Sequence, residues 1–164
     1  MVKVDPVARP ATASLSPARL GELVASAAAA PGRWNNLVRY DAARRWYQRL
    51  EFSAECEIWL LSWLPGQETG FHDHGHANGA VIVAEGQLRE QTATVGRTQV
   101  ASRVLQAGRF RSFGRQHLHS VSNISADPAL SIHAYSPPLT AMRRYEMTGS
   151  GLVLTATDVA GQNW

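Results

Sequence analysis

The chain has 164 residues, 45% of them hydrophobic, which suits one domain with a sizeable core. Its 16 Lys and Arg against 13 Asp and Glu leave a net charge of +3, mostly scattered Arg, which excludes the basic tract of a DNA- or RNA-binding protein. The single cysteine, Cys56, excludes an internal disulfide, and no apolar run approaches the roughly 18 residues of a membrane span. A slightly basic surface suits an anionic small substrate. Met1-Val2-Lys3-Val4-Asp5 lacks the apolar run of a signal peptide, so the cytoplasm is the expected compartment.

Residues 1–15 read as a leader with Pro6 and Pro10 and little periodicity, and residues 16–164 as the folded domain. Ser16-Pro17 reads as an N-cap followed by proline at the first helical position. Leu20, Leu23, Val24 and Ala27 or Ala28 form an apolar stripe at helical spacing, which Pro31-Gly32 terminates. A second short helix is expected over 34–40. From Arg45 onward the texture becomes that of strands, expected at 46–50, 56–63, 79–85, 87–95, 100–105, 117–123 and 130–136, with Met142 to Met147 returning to the sheet. In the second of these, Ile58, Leu60 and Ser62 lie on one face and Trp59, Leu61 and Trp63 on the other. Both faces are largely apolar, which predicts a central strand. Turns fall at Pro65-Gly66, Glu85-Gly86, Gly96-Arg97 and Gly108, and Pro137-Pro138 closes the series. Short strands at this spacing predict a β-sandwich or barrel, with the helical segments covering one side and a core wide enough for a metal and a small ligand.

His72 and His74 have period-two spacing, so on a strand both rings point the same way. His119 follows 45 residues after His74, beyond a predicted hairpin. Three neutral imidazoles with coordination positions left open are a catalytic metal pattern, suited to O2 activation at Fe(II) or to hydrolysis at zinc. Asp73, between the two histidines, points to the opposite face and is expected to orient a turn or a neighbouring ligand. His117 shares its side of a strand with His119 and is the alternative ligand, whereas His76 is not expected to bind metal. Cys56, Trp59 and Trp63 read as core residues, and Trp34 and Trp46 as packing residues. Phe71 or Leu60 is a candidate contact for a substrate methylene.

Gly66, five residues, His72-x-His74, then Gly79 and Gly86 resemble the first motif of the cupin superfamily, and His119-x-x-x-Asn123 resembles the second. The usual first motif has a glutamate ligand where this chain has Gly79, which leaves a three-histidine set. Tyr47-Gln-Arg49, Phe71-His-Asp-His74, Glu85-Gly-Gln-Leu-Arg-Glu90, Leu118-His-Ser-Val-Ser-Asn-Ile124 and Ser131-Ile-His-Ala-Tyr-Ser-Pro-Pro138 are similar to cysteine dioxygenase and related thiol dioxygenases, over roughly residues 40–145.

The resemblance implies an all-β, cupin-type small β-barrel, jelly-roll-like, with two short N-terminal helices. It implies Fe(II) held by His72, His74 and His119. It makes Tyr135 the active-site tyrosine, His133 the residue bonding its hydroxyl, and Ser131 the start of a catalytic Ser-x-His-x-Tyr series. It assigns the substrate carboxylate to Arg49, helped by Tyr135. The period-two spacing of residues 131, 133 and 135 places all three on one strand face, in agreement with those roles. Animal members of the family carry a cysteine, crosslinked to the tyrosine, where this chain has Gly79, so Tyr135 is expected to be uncrosslinked.

The implied reaction is oxidation of the thiol of free L-cysteine by O2 to cysteine sulfinate. The implied partners are a small thiol amino acid and O2, with neither nucleic acid nor membrane, and a monomer is expected. Two alternatives stand beside it. One is a dioxygenase for another small thiol carboxylate such as 3-mercaptopropionate, a group in which glutamine typically replaces the arginine. The other is a non-catalytic cupin that binds a metal or small ligand.

Overall fold

Ser16 starts helix α1 (Pro17–Ala28) by accepting the Arg19 N–H on its hydroxyl, with Pro17 in the first turn, where a missing N–H costs nothing. The computed structural model containing this helix describes residues 14–159. The leader expected over 1–15 therefore lies outside the described residues, apart from Ser14 and Leu15. Those two are bonded to Ser136: Ser14 Oγ donates to its carbonyl and the Leu15 N–H to its hydroxyl, both at 2.8 Å. The buried stripe of α1, Leu20 and Val24, packs on one face of the five-stranded sheet described below.

The expected pair of N-terminal helices is corrected to one. Residues 31–37 form two short 3-10 turns, Pro31–Arg33 and Asn35–Leu37, which meet at Trp34 with φ −137°. Asn35-Asn36 are weak helix formers, and three-residue segments cannot build the i→i−4 ladder that makes α-helix cooperative. Trp34 instead anchors the segment by donating its indole N–H to the Ala27 carbonyl at 2.9 Å.

Among the described residues eleven strands follow: β1 (Trp46–Phe52), β2 (Glu57–Trp63), β3 (Phe71–Asp73), β4 (Asn78–Glu85), β5 (Gln87–Ala93), β6 (Val100–Gln106), β7 (Phe110–Phe113), β8 (His119–Ser122), β9 (Ala129–Ser136), β10 (Ala141–Thr148) and β11 (Gly151–Val159). They form two sheets of antiparallel pairs, ordered β1-β2-β9-β4-β7 and β11-β10-β3-β8-β5-β6. The result is a mostly β, two-sheet, cupin-like fold with one α-helix among the described residues. β3, β7 and β11 fall outside the strands expected from the sequence.

The two faces read for β2 are both used. Ile58 and Leu60 join Leu20, Val24, Ile82 and Ile132 beneath α1. Trp63, with Trp59 and Leu61 beside it, joins Val81, Leu88, Phe113 and Val121 in the second core. β2 is thus covered on both sides, as its unbroken apolar run requires.

A buried three-histidine centre and its cavity

β3 and β8 are neighbours in the six-stranded sheet, and His72 sits directly opposite His119 in their register. His74 follows the end of β3. The three ring centroids are 4.7 to 5.1 Å apart, and one nitrogen of each lies within 4.8 Å of the others. Burial, then neighbouring imidazoles, hold His72 and His74 well below the ordinary histidine pKa. His119 is also lowered, by burial first and against the upward pull of its bond to Glu90. The rings are therefore neutral, the form that binds metal.

His72 Nδ1 is 3.1 Å from the Gly70 carbonyl and His119 Nδ1 is 2.9 Å from Glu90 Oε1. Both partners are acceptors, so each Nδ1 carries the proton and each Nε2 keeps a free lone pair. Both ring nitrogens of His74 are buried with no hydrogen-bond partner. Leaving such a group unmatched costs roughly 1–3 kcal/mol. A transition metal coordinated by all three rings would match one of the two His74 nitrogens and remove part of that cost, so the donor set fits a nitrogen-ligated divalent ion.

The remaining histidine candidates separate clearly. His117 Nε2 bonds Glu90 Oε1 at 2.8 Å, which ties it to a carboxylate outside the triad. Asp73 faces away from the triad. It accepts the Gly75 N–H at 2.9 Å, Arg143 Nε at 3.0 Å and the Tyr145 hydroxyl at 2.7 Å, shaping the turn that follows His74 and tying it to β10.

Across the gap between the sheets, β9 presents Ser131, His133 and Tyr135 in a line. Trp63 Nε1 donates to Ser131 Oγ at 2.8 Å, Ser131 Oγ lies 2.8 Å from His133 Nε2, and His133 Nδ1 lies 3.2 Å from the Tyr135 hydroxyl. Indole is only a donor, so Ser131 accepts there and gives its own proton to His133 Nε2. Burial, followed by the fields of His119 and Arg45, lowers His133 to about 3, so the ring is neutral with its proton on Nδ1. Nδ1–H then donates to the Tyr135 oxygen, leaving the phenolic proton free to point elsewhere. Burial raises the Tyr135 pKa, with Glu57 adding to it, and the phenol stays protonated.

A cavity of about 50 Å³, room for a few water-sized groups, joins these elements. His72, His119, His133 and Tyr135 line it, with Tyr47, Trp59, Leu61, Leu139 and Met142 as largely apolar walls. Phe71 and Leu60, candidates for methylene contact, are not in this lining, and Leu61 is.

Two arginines complete the wall, and neither is Arg49. Arg144 is committed to Asp158 at 2.7 Å and to the Thr69 carbonyl at 3.1 Å. Arg45, immediately before β1, has no ion-pair partner among the described residues. Its guanidinium lies 5.0 Å from the Trp63 ring centroid, and burial, then Arg144, lowers its pKa to about 10. Arg49 is 47% exposed, 3.7 Å from Glu57 Oε2, and stacked over Phe52 and Trp59. Arg45 lies outside the similar segment, which begins at Tyr47, and its place in the cavity lining was not read from the sequence. Its signal was the period-two face of residues 45, 47 and 49.

Gly79 lies on β4 directly opposite Tyr135. A Cβ there would overlap the Phe113 ring at Cε2 and Cζ. Phe113 in turn stacks on His74, with centroids 5.2 Å apart at 27°. The space of a side chain at position 79 is thus occupied by a ring that braces a metal-site histidine. Gly79→Ala is expected to destabilise the fold by about 1–3 kcal/mol through overpacking, read as a lowered urea midpoint. An unchanged midpoint would mean that Phe113 moves aside freely.

The family described as "Cysteine dioxygenase type I" matches residues 14–148. Cysteine dioxygenase type 1 of Danio rerio is 27% identical over 128 residues, covering 71% of this chain, and the chain spans 63% of that protein's length. Its Homo sapiens counterpart is 26% identical over 139 residues, covering 77% of this chain and 68% of its own length. Among solved structures, a Thermus thermophilus protein superposes with TM-score 0.56 at 23% identity, covering 63% of this chain and 93% of its own. An RmlC-like cupin protein from Desulfovibrio desulfuricans superposes with TM-score 0.52 at 21% identity, over 62% and 91% of the two chains. These two structures share the fold.

Proposed function

The chain belongs to the cysteine dioxygenase type I family, and on that premise we propose that it oxidises the thiol of free L-cysteine with O2 to cysteine sulfinate at an Fe(II) centre held by His72, His74 and His119. The observation that carries this reading is one small cavity bounded by His72 and His119 of the triad, by Tyr135 and by Arg45, which has no ion-pair partner among the described residues.

Bound Fe(II) would supply a site for the thiolate and the electrons that make O2 reactive. The protein's own part is positioning. Arg45 holds the substrate carboxylate, for which a guanidinium fork is the matched partner. Arg49, the family-matched arginine, is a second candidate that must first leave Glu57. The walls formed by Trp59, Leu61, Leu139 and Met142 pack the methylene and exclude water. Ser131 and His133 fix the Tyr135 oxygen, so its free proton is directed at the anionic sulfur or oxygen beside it. A small thiol amino acid and O2 are the partners this cavity suits. No described helix is long and apolar enough to cross a membrane.

O2 uptake and sulfinate formation by iron-loaded protein supplied with L-cysteine, 3-mercaptopropionate or cysteamine test the reading. L-cysteine is expected to turn over fastest and cysteamine, which lacks the carboxylate, slowest. Fastest turnover with 3-mercaptopropionate would move the assignment to that thiol, and no sulfinate from any of the three would leave a metal-binding, non-catalytic cupin.

A further inference from the structure

Glu90 projects from β5 with no solvent exposure, yet it belongs neither to the triad nor to the cavity lining. Its Oε1 accepts from His119 Nδ1 at 2.9 Å and His117 Nε2 at 2.8 Å. Its Oε2 lies 2.7 Å from Arg111 Nε and 3.6 Å from Arg103 Nε. The Arg111 contact is ionic rather than a directed hydrogen bond, since neither of its two atoms has an aligned partner. Burial pushes the Glu90 carboxyl upward, but the bonds from His117 and His119 and the charge of Arg111 hold it well below the usual carboxylate range.

Glu90, His117 and His119 also have the spacing of a second metal site. Two adjacent guanidinium groups and two N–H groups aimed at one carboxylate oxygen describe a held anion, not a place for another cation. The same cluster reaches a second ligand of the triad. His117 stacks on Phe113, with centroids 4.3 Å apart at 24°, and Phe113 stacks on His74.

We propose that Glu90 is a positioning residue of the metal centre: its buried carboxylate holds His119 with Nε2 toward the metal, gives that ring anionic character, and so sets metal affinity and reduction potential. The inference rests on the iron reading above. A carboxylate accepting the Nδ1 proton makes the opposite nitrogen a stronger donor, and partners of this kind typically affect metal affinity about 10- to 100-fold. Arg111 counters it by drawing negative charge away from His119.

The test compares wild type, Glu90→Gln and Arg111→Gln, each checked for folding by far-UV circular dichroism. Fe(II) affinity is read anaerobically against a competing chelator, and the Fe(III)/Fe(II) midpoint potential by spectroelectrochemical titration. Glu90→Gln keeps an acceptor for His119 but loses the charge. It is expected to weaken Fe(II) binding by about 10-fold or more and to raise the potential. Arg111→Gln is expected to lower the potential. A residue that merely supported the fold would not move the two in opposite directions. Wild-type affinity and potential in both variants, or shifts of the same sign, would overturn the proposal. Should Glu90→Gln fail to fold, Arg111→Gln decides alone, and an unchanged or raised potential overturns it. If wild type itself does not bind Fe(II), the iron reading fails, and Co(II) affinities of the same proteins test Glu90 separately, with unchanged values overturning its role.

Discussion

Arg45→Ala is expected to raise the KM for L-cysteine by about 100-fold, with a smaller loss in kcat. A hydrogen bond to a charged group contributes roughly 1.5–3 kcal/mol, and leaving a desolvated carboxylate unpaired costs roughly 3–5 kcal/mol. A value near 3 kcal/mol corresponds to about two decades in kcat/KM. Arg49→Ala removes a half-exposed guanidinium that lies outside the cavity lining, so its effect on KM is expected to stay within about threefold. Cysteamine provides the internal control, because without a carboxylate it should not distinguish wild type from Arg45→Ala. Steady-state O2 uptake with both thiols measures all of this. A larger effect at position 49 than at 45 would return the carboxylate to Arg49.

His74→Leu is expected to abolish iron binding and to reduce activity by at least about 10³-fold, in line with loss of a component on which the chemistry depends. The same substitution should leave the metal-free protein as stable as wild type or more so. Both His74 nitrogens are buried and unpartnered, and replacing such a group by an apolar one of similar size removes an unmet desolvation penalty. His119→Leu differs, because it deprives the buried Glu90 of a donor and should destabilise the metal-free fold by about 1–3 kcal/mol. Urea denaturation of chelator-treated proteins, with iron content measured in parallel, checks both parts. Marked destabilisation of metal-free His74→Leu would show that the ring serves packing against Phe113 and Tyr135 more than metal binding.

Much of this fold was legible because strands and turns leave local marks. The Ser16-Pro17 cap, the two apolar faces of β2 and the turn at Glu85-Gly86 are patterns within a few residues, and each corresponds to an element. The second N-terminal helix was misread because 34–40 is short and Trp34 is held by a distant carbonyl, which no helical period reports. The triad was legible for a physical reason: period two aims His72 and His74 together, and one register pair brings His119 to them. That Arg45 and not Arg49 lines the cavity was not. Residues 45, 47 and 49 share one strand face, and only the placement of β1 against β2, with its bulge between Arg49 and Glu51, decides which of them meets the cavity. Glu90 lay in a similar segment without a role, because its partners come from β6, β8 and the turn before β8, which the sheet order brings beside β5, and from β7 of the opposite sheet.

The opposed sheets also separate two tasks. The metal-site histidines and the carboxylate behind them sit on or beside strands of one layer, whereas Arg45, Tyr47, Trp59 and the Ser131-His133-Tyr135 line sit on or beside strands of the other. Recognition can therefore be rewritten on β1 and β2 while the metal-binding frame keeps its geometry. A library randomised at positions 45, 47, 59 and 61 should change which thiol is accepted while the protein continues to load metal.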